Sequence, residues 1–205
     1  MLALRADPAD LAALKAAVLP LDHPVEAPEL APGHPLREIL TAPLKPAAVL
    51  VPLVYRDSWN LILTQRAADL HHHGGQISFP GGRREGGDTS YIHTALRETR
   101  EEIGIAEDQV EPLGYLNPIP VITGFGVVPV VGTIPASVNF ALDPGEVAEV
   151  FEVPLSFVLD PANHQQETME RRGRRGTYFV LQFGSRRIWG ATAAMLVDLA
   201  RRLGA

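Results

Sequence analysis

The chain has no cysteine. Disulfides, thiolate zinc sites and a cysteine nucleophile are therefore excluded, and a cytoplasmic location is expected. It has no uninterrupted apolar run approaching the roughly 20 residues of a membrane span, so no membrane partner is expected. The first residues, MLALRADPADLAALKAAVLPL, are apolar in places. Asp7, Asp10 and Lys15 interrupt them, so the apolar core of a secretion signal is missing. There is no excess of positive charge either. The formal net charge is -6, so no broad nucleic-acid surface is expected. No internal repeat and no low-complexity tract breaks the chain.

What is present suffices for one sizeable core: 205 residues, 46% of them hydrophobic. Residues 7 to 18 read as a short amphipathic helix started by Asp7 and Pro8. The proline-rich stretch 19–36 reads as an extended arm packed on the body or used in a homodimer contact, or as a mobile linker. Arg37 to Leu40 suggests a brief helical turn. Ala47 to Tyr55 is a buried strand by composition, and Leu61 to Arg66 is its hairpin return. A loop from Ala67 to Gly75 carries His71, His72 and His73. Gln76 to Phe79 is a short strand that feeds a Gly81-Gly82 turn.

A helix is expected from about Thr89 to Ile103, stopped by Gly104. Strands follow at Asp108 to Leu116 and Gly126 to Ile134, joined by a loop, Asn117 to Phe125. Another loop spans Asn139 to Gly145. Glu146 to Glu152 forms a second acidic cluster, ahead of a short helix from Leu155 to Leu159. Met169 to Arg175 is basic and turn-like. Thr177 to Phe183 and Arg187 to Trp189 read as a last hairpin, and Ala191 to Leu203 as an amphipathic helix. Strands mixed with a few helices, without regular alternation, argue for an α+β or α/β/α arrangement around a mixed sheet.

The most informative stretch is Phe79 to Ile105, FPGGRREGGDTSYIHTALRETREEIGI. At helical spacing Ile92, Leu96, Thr99 and Ile103 form one stripe, while Glu98, Glu101 and Glu102 gather on the opposite side between Arg97 and Arg100. Like charges at i,i+4 cost a few tenths of a kcal/mol. Either the arginines balance a solvated acidic face, or a cation is bound there. Hard cations such as Mg2+ take oxygen ligands, commonly one or two carboxylates plus substrate phosphates.

Arg97, Glu98, Glu101, Glu102, Gly104 and Ile105 stand in the type and spacing of the second half of a Nudix box, and the chain is similar to Nudix hydrolases on that ground. The first half departs from the pattern. Gly82 lies one residue too far from Arg97, Thr89 stands at the first Glu with Asp88 beside it, and Thr99 replaces an aliphatic residue. A second motif, LTQRAADLHHHGGQISFPGG at 63–82, resembles the signature of the coenzyme A pyrophosphatase subfamily. Thr64, Arg66, Gly75, Phe79, Pro80, Gly81 and Gly82 are in register. Ala67 replaces a Ser and His71 replaces an Arg. The extra residue before Arg97 resembles that subfamily, as do VFEVPL at 150–155 and IWGATA at 188–193.

The resemblance implies a mixed sheet sandwiched by helices, with a Nudix domain over 45–205 and an arm over 1–44. It also implies hydrolysis of a diphosphate linked on both sides, with Mg2+ or Mn2+ as cofactor. Glu98, Glu102 and Glu101 are the expected metal ligands. Arg97 is expected to hold Glu101 or Glu102 by an ion pair and so fix the carboxylates, and the general base is expected to be Glu101 or to come from the later cluster, Glu146 or Glu149. Arg66, His71, Gly75, Gly81 and Gly82 are the expected substrate contacts. Arg66 is suited to clamp a phosphate oxygen with its planar fork, or else is a strand-end ion pair. His71 does so only when protonated or through one neutral hydrogen bond, which would weaken recognition of a 3′-phosphate. The expected substrate is the small molecule coenzyme A or a derivative, cut to 3′,5′-ADP and 4′-phosphopantetheine. ADP-ribose or NADH is the alternative substrate, and a non-catalytic nucleotide-binding module is the alternative of a different kind.

Overall fold

The computed structural model of the chain describes residues 8–40, 43–68, 74–171 and 174–205. Helix α1 (Pro8–Ala17) precedes the extended arm, in which a single 3-10 turn occupies Pro35–Glu38. The body then runs β1 (Lys45–Tyr55), β2 (Trp59–Arg66), β3 (Ile77–Ser78), β4 (Gly81–Arg83), α2 (Tyr91–Ile103), β5 (Glu111–Tyr115), β6 (Ile119–Val121) and β7 (Phe125–Ile134). It continues with β8 (Val147–Pro154), α3 (Leu155–Leu159), β9 (Gln165–Arg171), β10 (Arg174–Phe183), β11 (Arg186–Trp189) and α4 (Gly190–Arg202).

Among the described residues eight strands form one mixed sheet, whose central path is β3-β2-β1-β7-β5. β1 and β7 are parallel from Lys45 with Phe125 to Val54 with Ile134. The other pairings are antiparallel. β1 and β2 pair only beside their turn, from Leu53 with Leu61 to Tyr55 with Trp59, and then separate. The stretch 77–83 fills the fork: β3 pairs with β2, and β4 pairs with β1. β9, β10 and β11 form a second, antiparallel sheet.

Successive side chains of a strand point to opposite faces. Ala48, Leu50 and Val54 of β1 accordingly join one apolar cluster with Tyr91, Ala95, Leu96 and Ile103 of α2. Val51 and Leu53 join another with Leu14 of α1, Val158 of α3 and Leu196 of α4. The sheet therefore lies between helices, the α/β/α arrangement expected. Each fully buried leucine or valine contributes about 1.5–3 kcal/mol of transfer free energy.

The arm is packed on the body where it is described. Leu14 and Val18 are buried. Leu19 bridges Tyr115 through both backbone hydrogen bonds, and the Ala27 N–H donates to the Tyr91 hydroxyl at 3.1 Å. Asp7, the expected helix start, lies outside the described residues, as do His71, His72 and His73.

Several local expectations need correction. Gly81 and Gly82 are not a turn but strand β4, because their lack of a side chain lets the backbone lie against β1. Helix α2 starts at Tyr91, not Thr89: the Ser90 hydroxyl caps it by accepting from the His93 N–H at 3.1 Å. A 3-10 turn, Glu107–Gln109, replaces the start of the strand expected at Asp108. Within the expected loop Asn117 to Phe125, β6 forms a hairpin with β7. Glu146 to Glu152 is largely β8, and the basic stretch at Met169 to Arg175 is largely the arms of β9 and β10.

Candidate active site

The site forms where β4 crosses α2. Gly81 has φ +152, and a Cβ there would meet the Ala48 carbonyl oxygen at 2.4 Å. A Cβ on Gly82 would stand 2.4 Å from the Glu98 carboxyl carbon. The two glycines thus let the strand lie close to β1 on one side and seat a carboxylate of α2 on the other. Gly104, in the left-handed conformation, closes the helix by donating its N–H to the Arg100 carbonyl.

Arg97 organises the acidic groups. Its Nε and Nη2 reach the two oxygens of Asp88 at 2.9 and 3.1 Å. Nη2 also donates to Glu98 at 2.9 Å and to the Arg83 carbonyl at 3.1 Å. Nη1 donates to Glu101 at 2.9 Å. Asp88 is buried and also accepts from the Thr94 hydroxyl at 3.0 Å and from the Glu85 N–H at 2.8 Å. The Arg97 guanidinium holds the Asp88 carboxyl far below the usual carboxylate range. Asp88 in turn holds the Arg97 pKa above its ordinary value.

Glu102 does not share the exposed face of α2, as helical spacing suggested. It is 2% exposed and points beneath β4, where it accepts from the Gly81 N–H at 3.2 Å and from Arg66 Nη1 at 3.2 Å. Burial, only partly opposed by Arg66 and the Gly81 N–H, raises its pKa to about 7; Glu146 and Glu98 add repulsion. Burial also raises Glu98, against the pull of Arg97.

A cavity of about 400 Å³ opens over these groups. Glu98, Glu102 and Glu146 line it, with Arg66 and Arg83 as cations. Arg66 Nη2 lies 4.0 Å from Glu146. Gly81 and Gly82 form part of the floor, and Val121, Ile122, Phe125 and Met195 supply an apolar wall. Gly190, Ala191 and Thr192, the first turn of α4, also border it. Trp189 caps that helix without a side-chain hydrogen bond, so the positive end of a 13-residue helix has no side-chain cap from Trp189.

The structure therefore brings Glu98, Glu102, Glu146, Arg66, Gly81 and Gly82 together. Arg97 lies behind them, in contact with Glu98 and Glu101. Glu101 stands apart: its side chain is half exposed, bound to Arg97, and does not line the cavity. Glu149, the other late candidate, is paired with Arg186. Gly75 borders a neighbouring cleft rather than this cavity. His71 lies outside the described residues. The apolar wall was missed from the sequence. Its signal was the apolar residues Val121, Ile122 and Phe125 around a glycine, in a stretch where no periodic pattern buries them.

Among the described residues no three acidic or imidazole side chains form a ready group for one ion. The donor set still fits a hard cation. Glu98 and Glu102, one helical turn apart, present carboxylates to one cavity, and the glycine at 82 leaves the room that Glu98 occupies. Two carboxylates plus substrate oxygens are a usual Mg2+ environment.

The site thus sits on a mixed sheet between helices, with a glycine strand laid over an acidic helix. The family model described as NUDIX domain matches residues 44–172, and the chain belongs to the Nudix family. It is similar to a protein of Pectobacterium atrosepticum named "Uncharacterized Nudix hydrolase NudL", 39% identical over 176 residues, 86% of this chain and 88% of the relative. A protein of the same name from Citrobacter koseri is 42% identical over 158 residues, 77% of this chain and 82% of the relative. Among solved structures, a MutT/nudix family protein from Enterococcus faecalis is 19% identical with a TM-score of 0.49, covering 79% of this chain and 62% of that one. No described helix is long and apolar enough to cross a membrane.

Proposed function

We propose that the chain is a divalent-cation-dependent pyrophosphatase of coenzyme A and its acyl or oxidised derivatives, releasing 3′,5′-ADP and 4′-phosphopantetheine or its derivative. The observation that carries this reading is the cavity itself. Three carboxylates, two arginines and the positive end of α4 face an apolar wall. A diphosphate with a nucleotide on one side and a less polar arm on the other fits that division. Substrate choice rests on the motif at 63–82, from which Arg66, Gly81 and Gly82 reach this cavity and Gly75 reaches the adjoining cleft.

Glu98 and Glu102 would hold Mg2+ or Mn2+, which supplies Lewis acidity toward phosphate oxygens and water. Arg66 and Arg83 bind phosphate oxygens at the cavity. Arg97 and Asp88 orient Glu98. Glu146 accepts the proton as the oxygen of water attacks one phosphorus. The bridging P–O bond breaks, and its electron pair leaves with the other phosphate. Glu101, held outside the cavity by Arg97, is a positioning partner in this reading rather than the base.

The test is product analysis with coenzyme A, ADP-ribose and NADH at equal concentration, with Mg2+ and then Mn2+. Accumulation of 3′,5′-ADP well ahead of AMP from the other two supports the reading. Faster turnover of ADP-ribose or NADH removes the coenzyme A assignment and leaves the hydrolytic chemistry. Tight nucleotide binding without turnover of any of the three replaces the enzyme by a binding module.

A further inference from the structure

Beside the acidic cavity lies a second cleft of about 410 Å³. The two share Gln76, Ile77 and Trp189 along their borders. Their charges differ. In the first, Glu98, Glu102 and Glu146 outnumber Arg66 and Arg83. In the second, Arg186 and Arg187 outnumber Glu149 along the lining, with Glu167 paired to Arg187 beside it. Both arginines stand at the start of β11, and Gly75 and Gln76 line the same cleft.

The two guanidinium groups are held in place. Arg186 lies over the Phe151 ring at 4.4 Å and donates from Nη2 to Glu149. Its buried Nε has no acceptor among the described residues. Arg187 donates to Glu167 at 2.7 Å and to the Tyr178 hydroxyl at 3.1 Å. It also lies 5.6 Å from the centroid of the Trp189 ring, which borders both cavities. A guanidinium has five N–H donors, so neither group is saturated by these partners. Arg66 is the less suitable cation for a remote phosphate, because it lines the first cavity beside Glu102 and Glu146 and does not reach this cleft.

We propose that this cleft is a second anion subsite, in which Arg186 and Arg187 bind a phosphate monoester carried one sugar away from the diphosphate being cleaved. The proposal rests on the coenzyme A reading above, whose nucleotide half carries such a group. The diphosphate lies over Glu98 and Glu102, the ribose passes Trp189, and the monoester meets the β11 arginines. A guanidinium suits this task because its planar fork matches phosphate geometry.

The experiment compares kcat/KM for coenzyme A and 3′-dephospho-coenzyme A. The enzymes are the wild type, Arg186→Gln, Arg187→Gln, and Arg186→Gln combined with Glu149→Gln. Wild type is expected to prefer coenzyme A, and each single variant to lower that preference by about tenfold, through KM, as loss of a charged hydrogen bond implies. The double variant separates lost attraction from the repulsion of an unpaired Glu149, and it is expected to keep the loss. Restored preference in the double variant, or an unchanged ratio in the single ones, overturns the subsite. Equal turnover of both substrates by wild type also overturns it, while the diphosphate chemistry survives. Turnover of neither removes the coenzyme A reading and the subsite with it. Should a variant not fold, the wild-type KM for coenzyme A should rise more steeply with salt than that of the dephospho form; equal slopes overturn the proposal.

Discussion

Arg97 donates to Asp88, Glu98, Glu101 and the Arg83 carbonyl. Asp88 depends on it most, because the Asp88 side chain is only 1% exposed. Removing one partner of a buried pair leaves an uncompensated charge, at a cost of about 3–5 kcal/mol. Arg97→Ala is therefore expected to lower stability by about that amount in urea unfolding. Arg97→Lys is expected to recover less than half, since a point charge cannot fork to both oxygens of Asp88.

Glu102 makes a prediction of opposite sign to an ordinary ion-paired carboxylate. Its folded pKa is raised from 4.5 to about 7. Between those values the folded protein keeps a proton that the unfolded chain releases. The stabilisation is fully present below pH 4.5 and is lost as pH rises through 7. In metal-free protein Tm is expected to fall from pH 5 to pH 7.5, and Glu102→Gln should flatten that slope. A slope unchanged by the substitution would show that other groups govern it.

At the scale of elements, the contact between β4 and α2 rests on two glycines that fail differently. A Cβ on Gly81 meets backbone of β1, which cannot turn aside. Gly81→Ala should unseat β4 and cost several kcal/mol, roughly 3 or more, as strained positions do. A Cβ on Gly82 meets first the far end of the Glu98 side chain. Gly82→Ala should keep the fold, with a stability loss of about 1 kcal/mol or less, but displace Glu98 and weaken Mg2+ binding about tenfold. Calorimetric titration with Mg2+, beside urea unfolding, separates the two outcomes. The helix itself was legible in the sequence to within two residues, because caps and hydrophobic spacing are local. The strand character of Gly81 and Gly82 was not. Glycine pairs signal turns locally, and only the fork between β1 and β2 makes them a strand.

For the whole molecule, a bound cation links the site to global stability, since a ligand held only by the folded state raises Tm. The cation needs its carboxylates deprotonated, so Mg2+ should raise Tm more at pH 8 than at pH 6. Equal shifts at both pH values would place Mg2+ elsewhere than at Glu102. The chain's order of residues was enough to specify the longer central strands, the acidic helix and the absence of cysteine chemistry. Those follow from periodicity, caps and composition, which act over a few neighbours. Which carboxylates share a cavity was decided by packing between distant segments. β4 buries Glu102, Arg97 draws Glu101 aside, and β8 brings Glu146 across from residues more than 40 positions away. The apolar wall from 121–125 reaches that cavity, and the arginines at 186 and 187 the adjoining cleft, for the same reason. Their placement depends on strand pairing and the hydrophobic layers beneath, which no short stretch of sequence encodes.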